Sequence, residues 1–474
     1  MVNGALANHR ALCEREGTIR RSLFLRLLWP RHFTSFMRAE MKRTLALALI
    51  AASGPLPAQT YGPAALGDGA TAAGPAVPPP AAISPELGAL AAKAADTHPA
   101  VEAARANVRA AGGDVRAAKW QRGPSVSVEA LTFEGGAPVV RGDNFSANLV
   151  VDQPIWQGGR IGGTIDRAKA VQRFSEAQAD ETMFDIELRV TNAYYDTVRA
   201  TRRAMILERG LTEHRMLVDS ISRRVEQEVS PRVDLELARS RTAQLEEQLA
   251  TAAAQRDASL LRLRELIGDP SYTLAAIPFY DPAAHHPNSG SAVEEATTCS
   301  PSRRRAQAEA LVARADAKLA QAQYMPRVSA VFSSNEVTGE RVGVVFRAGT
   351  NGGLSQFESA SAARLRRQAA ELQVGATERD LRDAINADIA ENQASRQRIA
   401  SSGQAATASR AVTDSYQRQF VVGRRSWLDV MNAALETTQA ELAADDAEVT
   451  AMASAARLSL RTCRWQPEPT LSRP

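Results

Sequence analysis

Cysteine is scarce: the 474 residues hold three, Cys13, Cys299 and Cys463. None forms a CxxC or clusters with histidine, which excludes the usual zinc arrangements. Aromatic residues are also few, at 5%, while alanine is abundant. Ala is the best helix former and aromatics favour strands, so the bulk of the chain should be helical. Excess charge is lacking: 57 Lys and Arg against 53 Asp and Glu leave +4. That small surplus gives little support to nucleic-acid binding, which shows as a clustered basic face. Walker loops, nucleophile elbows and metal-ligand spacings are missing. The run Gly158-Gly159-Arg160-Ile161-Gly162-Gly163 is not GxGxxG and has no βαβ surroundings, so it reads as a strand-to-helix turn. His285 and His286 lie in a Pro/Asn/Gly-rich stretch and read as a solvated loop. These absences point to no enzyme and no cofactor.

One short apolar run is present. Met41-Lys42-Arg43 is basic, Leu45 to Ala52 is apolar and Leu56-Pro57-Ala58 ends on a small residue. The expectation is a secretion signal over 41–58, preceded by an Arg-rich 1–40 extension foreign to the fold. No other stretch approaches the roughly 20 apolar residues of a membrane-spanning helix. Gln59 stands where a lipoprotein would carry cysteine. Residues 59–84 are rich in Ala, Pro and Gly and read as an extended lead-in.

A helix is expected from Ser84-Pro85-Glu86, interrupted at His98-Pro99 and resuming to Gln121. Pro124 opens a period-two pattern. Val126, Val128 and Ala130 alternate with Ser125, Ser127 and Glu129, and beyond Gly135-Gly136 and Gly142-Asp143, Phe145, Ala147, Leu149 and Val151 alternate with Ser146, Asn148 and Val150. This predicts a β-hairpin over 124–155 with one apolar face. A helix over 161–228 follows, with Ile186, Val190, Tyr194 and Val198 four apart. At ~1.5 Å per residue it spans on the order of 100 Å. Ser230-Pro231 breaks it. A return helix over 232–267 carries Val233, Leu237, Leu245 and Leu249 on one stripe, and Gly268-Asp269-Pro270 ends it. Residues 270–298 read as an irregular connector.

The pattern then recurs over 299–463: a helix, a hairpin over 326–348, a long helix over 355–420 and a return helix over 426–462, before a 464–474 tail. Gly352-Gly353 follows Gly158-Gly159 by 194 residues, and Asn386-Ala387 follows Asn192-Ala193 by the same interval. Asp429 and Ala433 follow Asp234 and Ala238 by 195. The chain is therefore mainly α with a small β part, built as two tandem repeats. Four strands leave two open edges, which a bilayer does not tolerate, and closed membrane barrels need about eight strands or more. Copies must associate: two would give eight strands, three twelve. A periplasmic adaptor with a single helical hairpin, an enzyme and a cytosolic coiled coil are the competing readings.

The segments Gln153-Pro154-Ile155-Trp156-Gln157-Gly158-Gly159-Arg160 and Phe420-Val421-Val422-Gly423-Arg424-Arg425-Ser426-Trp427-Leu428-Asp429-Val430 resemble those of the TolC family of outer-membrane efflux and type I secretion channels. The resemblance spans about residues 85–463. It implies a homotrimer with a 12-stranded barrel set in outer-membrane lipid and a helical tunnel in the periplasm. The implied partners are a periplasmic adaptor and an inner-membrane ABC or proton-driven transporter. It also implies a gate at the helix tips, with Asp234 from the first and Phe420, Arg425, Asp429 and Asn432 from the second. An Arg425–Asp234 pair would close it, and three copies of Asp429 would line the constriction. Phe420 stands where the family commonly has Tyr, and Asn432 where it has a second acid. Cys299 and Cys463 would meet in the equatorial belt, as a disulfide or as two buried thiols.

Overall fold

Ser84 starts the first helix by accepting from the Leu87 amide at 3.2 Å, with Pro85 in the first turn. The computed structural model describes residues 80–132, 145–335, 339–349 and 354–467. The expected signal, the 1–40 extension, most of the lead-in, Cys13, Gly135-Gly136, Gly142-Asp143, Gly352-Gly353 and most of the tail lie outside the described residues.

Helix α1 (Pro85–Thr97) ends at His98, whose Nδ1 then caps α2 (Pro99–Trp120) by accepting from Ala100 N at 3.1 Å. Strands β1 (Ser125–Thr132) and β2 (Phe145–Trp156) lead into α3 (Arg160–Glu226) and its return helix α4 (Arg232–Ile267). The second repeat follows as α5 (Ala292–Cys299), α6 (Pro301–Ala322), β3 (Arg327–Asn335), β4 (Gly339–Arg347), α7 (Ser355–Val421) and α8 (Trp427–Arg461). Equivalent helices match in length: 22 residues for α2 and α6, 67 for α3 and α7, and 36 against 35 for α4 and α8.

The four strands form one antiparallel sheet in chain order. Its register aligns Val126, Val151, Phe332 and Val342 in one row, and Gln153, Ala330 and Val344 in another. Directly paired residues share a face. One face therefore carries Val126, Val128, Leu149, Val151, Phe332, Val342, Val344 and Phe346, with Gln153, Ser334 and Glu340 toward its ends. The other is more polar, with Ser125, Ser127, Asn148, Asp152, Ser329, Ser333, Arg341 and Arg347 beside Val150, Val331 and Val345. The apolar face is uncovered: Val128, Val342, Val344 and Phe346 are exposed. Among the described residues no helix is long and apolar enough to cross a membrane.

The helices repeat the order of the strands. Next to the sheet, α2 packs on α3, α3 on α6 and α6 on α7. Toward the far end, α4 packs on α3, α3 on α8 and α8 on α7. Each long helix thus runs the full length beside two shorter helices placed end to end. The result is one continuous wall with α2, α4 and β1 at one margin and α7 and β4 at the other. The main core lies midway, where Leu87, Ile186, Val190, Tyr194, Leu263 and Met452 join α1, α3, α4 and α8.

Three local expectations need correction. On α4, Val233 is exposed and Leu237 largely so; the buried stripe is Leu235, Ala238, Thr242 and Leu245. The connector is not wholly irregular, since Glu294 and Glu295 in its first turn favour α5. His285 is buried, stacked on Tyr280 with Nδ1 at the Asp281 backbone, while His286 is exposed.

Candidate functional site

Each hairpin tip turns through a left-handed residue: Glu228 with φ 57° in the first, Gly423 with φ 74° in the second. The two are 195 residues apart, the spacing that links Asp234 to Asp429. Their closing bonds correspond as well. Val229 N donates to Arg224 O at 2.8 Å and Arg424 N to Gln419 O at 2.9 Å. One backbone device therefore makes both tips, and Ser230-Pro231 and Arg425-Ser426 start the return helices from it.

The tips pack into one apolar cluster. Leu217, Ile221 and Leu235 from the first hairpin meet Phe420, Val430 and Met431 from the second. Phe420 is buried. Arg224 lies 4.1 Å from its ring centroid and donates through Nη2 to its carbonyl at 2.9 Å. The Arg224 guanidinium thus holds Phe420 by ring and backbone together. Arg425 lies over Tyr416 at 4.1 Å and reaches Asp429 on its own helix tip at 3.7 Å. Ser426 caps α8, its Oγ accepting from the Asp429 amide at 3.1 Å. Within the chain Arg425 does not pair with Asp234, and among the described residues Asp234 makes no ion pair. Asn432 accepts from Arg241 Nη1 of α4.

Sequence reading missed Arg224 and Arg241, and also Arg410. From α7, Arg410 binds Glu213 of α3 at 2.5 Å and Glu441 of α8 at 2.6 Å, tying three helices above the tip. Their partners lie 31 to 197 residues away in a chain full of arginine, so no local signal marks them. His214 of α3 is buried there too, and burial holds its pKa below the usual range.

At the equator a disulfide joins Cys299 and Cys463, with 6.4 Å between Cα atoms. Arg464 pairs with Glu295 at 2.7 Å beside it, and Asp388 of α7 pairs with Arg457 at 2.7 Å and Arg461 at 2.9 Å. At the sheet end, Gln153 Nε2 donates to the Arg122 and Pro154 carbonyls. Gly158 has φ 57°, and a Cβ there would sit 2.3 Å from Met325 Cβ. Only glycine fits that crossing of β2 into α3. No group of described His, Cys, Asp and Glu residues is arranged to hold a metal ion.

Residues 90–269 match the outer membrane efflux protein family. The match covers α2 through α4, and the second repeat copies their layout. The match includes the Gln153–Arg160 motif, while the Phe420–Val430 motif lies outside it. The fold is similar to that of CusC, with a TM-score of 0.71 at 14% identity over 80% of this chain and 92% of that one. The outer-membrane channel OprN gives 0.70 at 18% over 80% and 90%, and VceC of Vibrio cholerae 0.68 at 18% over 80% and 95%. No curated protein sequence matches the chain.

Proposed function

We propose that this chain is one third of a passive exit duct through the outer membrane. Three copies would set margin α7/β4 of one against margin α2/β1 of the next, closing twelve strands in lipid and the helices into a periplasmic tunnel. The observation that carries this reading is the shared order of strands and helices together with the bare apolar sheet face. A sheet with that face can meet lipid only if its two edges are closed. Its cargo class is drugs and other small solutes or unfolded protein delivered by a transporter, in multidrug efflux, type I secretion or both. The tips expose Val229, Val233, Val421 and Val422, an apolar rim suited to a periplasmic adaptor. The adaptor would in turn join the duct to an inner-membrane ABC or proton-driven transporter.

The gate would be the tips themselves. Three copies of Asp429 around the axis favour cations in the closed state, and Arg425 exchanges between Asp429 of its own chain and Asp234 when the duct closes. Membrane fractionation and bilayer recording test both parts. The expected result is a heat-dissociable trimer in the outer-membrane fraction with small conductance, raised in Arg425→Glu. A soluble monomer overturns the duct, and an unchanged conductance in R425E overturns the latch.

A further inference from the structure

We infer that Arg327 and Arg347 form an anion-attracting girdle at the foot of the barrel, which makes the open duct prefer anionic solutes. The inference rests on the proposed duct.

Strands β1 and β3 begin, and β2 and β4 end, at the side of the sheet that joins the helices. Arg327 and Arg347 are direct partners in the last row there. Both lie on the polar face, opposite to Val328 and Phe346. Paired side chains on antiparallel strands sit about 5 Å apart at Cβ, and like charges directly opposite each other destabilise a sheet. The one acid in reach is Asp152, 3.7 Å from Arg347 and already accepting from Ser329 Oγ at 3.2 Å. Among the described residues Arg327 makes no ion pair. Two guanidiniums against one carboxylate leave a surplus of one positive charge per chain at this level. Farther along the same face Arg341 and Glu129 balance each other.

Sheet stability alone would favour a neutral or opposite-sign pair in this row. A cross-strand arginine pair on a water-facing surface instead offers two planar forks suited to carboxylate or phosphate groups. Repeated in three copies it becomes a ring of six arginines and three aspartates, and rings of arginine select anions in aqueous pores. At the tip the proposed constriction is lined by Asp429 instead. The duct would favour cations while the tip is its narrowest point and anions once the tip opens.

The test is the reversal potential in planar bilayers under a KCl gradient, using an Asp429→Asn parent so that the tip carboxylates do not set selectivity. The parent is expected to prefer chloride. The preference should fall as salt rises from about 0.1 to 1 M, where the screening length shrinks from about 10 to 3 Å. Arg327→Gln/Arg347→Gln should shift the reversal potential toward potassium, and Arg347→Gln alone should give part of the shift if the double variant does not assemble. An identical reversal potential in parent and variants overturns the girdle while leaving the duct intact. A parent that forms no channel overturns both.

Discussion

Glu187 shows what single residues contribute here. It is buried on α3 beside the main core, and desolvation pushes its carboxyl from 4.5 up to about 8. A raised acid pKa means that the folded chain holds a proton the unfolded chain has lost. Stability therefore falls as pH rises from about 4.5 to about 8, by up to a few kcal/mol. Glu187→Gln should raise Tm at pH 8 and flatten that dependence; a parallel pH profile in thermal melts would count against it. A second residue-scale prediction concerns the tips. Glu228 occupies a left-handed conformation that costs a non-glycine residue about 1–2 kcal/mol, and Gly423 occupies its equivalent at no such cost. Glu228→Gly should stabilise and Gly423→Ala destabilise by about 1 kcal/mol each in urea melts. The residues proposed for the gate were legible only through family resemblance. Their contacts were not, because Arg224 and Arg241 act across helices far apart in sequence.

At the scale of elements the sequence was more informative. Alternation in Val126–Ala130, Val328–Phe332 and Val342–Phe346 marks the strands because a period of two is local information. The capping residue Ser84 before Pro85 marks a helix start for the same reason. The stripe on α4 was misread because burial there follows the neighbour's shape, which no single helix encodes. The end of α8 gives the sharpest lesson. Cys463 has φ 56° and sits 195 residues after Gly268, the left-handed cap of α4. The second repeat has placed a bridging cysteine where the first keeps a glycine, at the close of the return helix. The bond to Cys299 encloses 164 residues of sequence separation, and such a constraint on the unfolded chain stabilises by about 5 kcal/mol. Cys299→Ser should therefore lower the urea midpoint strongly, and dithiothreitol should bring the unmodified protein to the same value. Equal midpoints with and without reductant would mean that the bond contributes nothing.

The whole molecule is decided by which face of the sheet meets which solvent. Equal helix lengths and the 194–195 residue spacing were legible, and they imply two equivalent halves. They do not say that strands and helices share one lateral order, which is a property of packing and is what makes the wall continuous. That order leaves neighbours Val344 and Val345 on opposite faces of β4. Arginine on a barrel's lipid side costs about 2–4 kcal/mol near mid-membrane, whereas lumen substitutions are tolerated. Three copies multiply the penalty, because every subunit carries the change. Val344→Arg should therefore abolish the heat-dissociable trimer in the outer-membrane fraction, and Val345→Arg should leave it in place with altered ion selectivity. The reverse pattern would turn the sheet inside out, with the apolar face lining the duct. Equal effects of both substitutions would mean that the strands do not form a barrel wall between lipid and water.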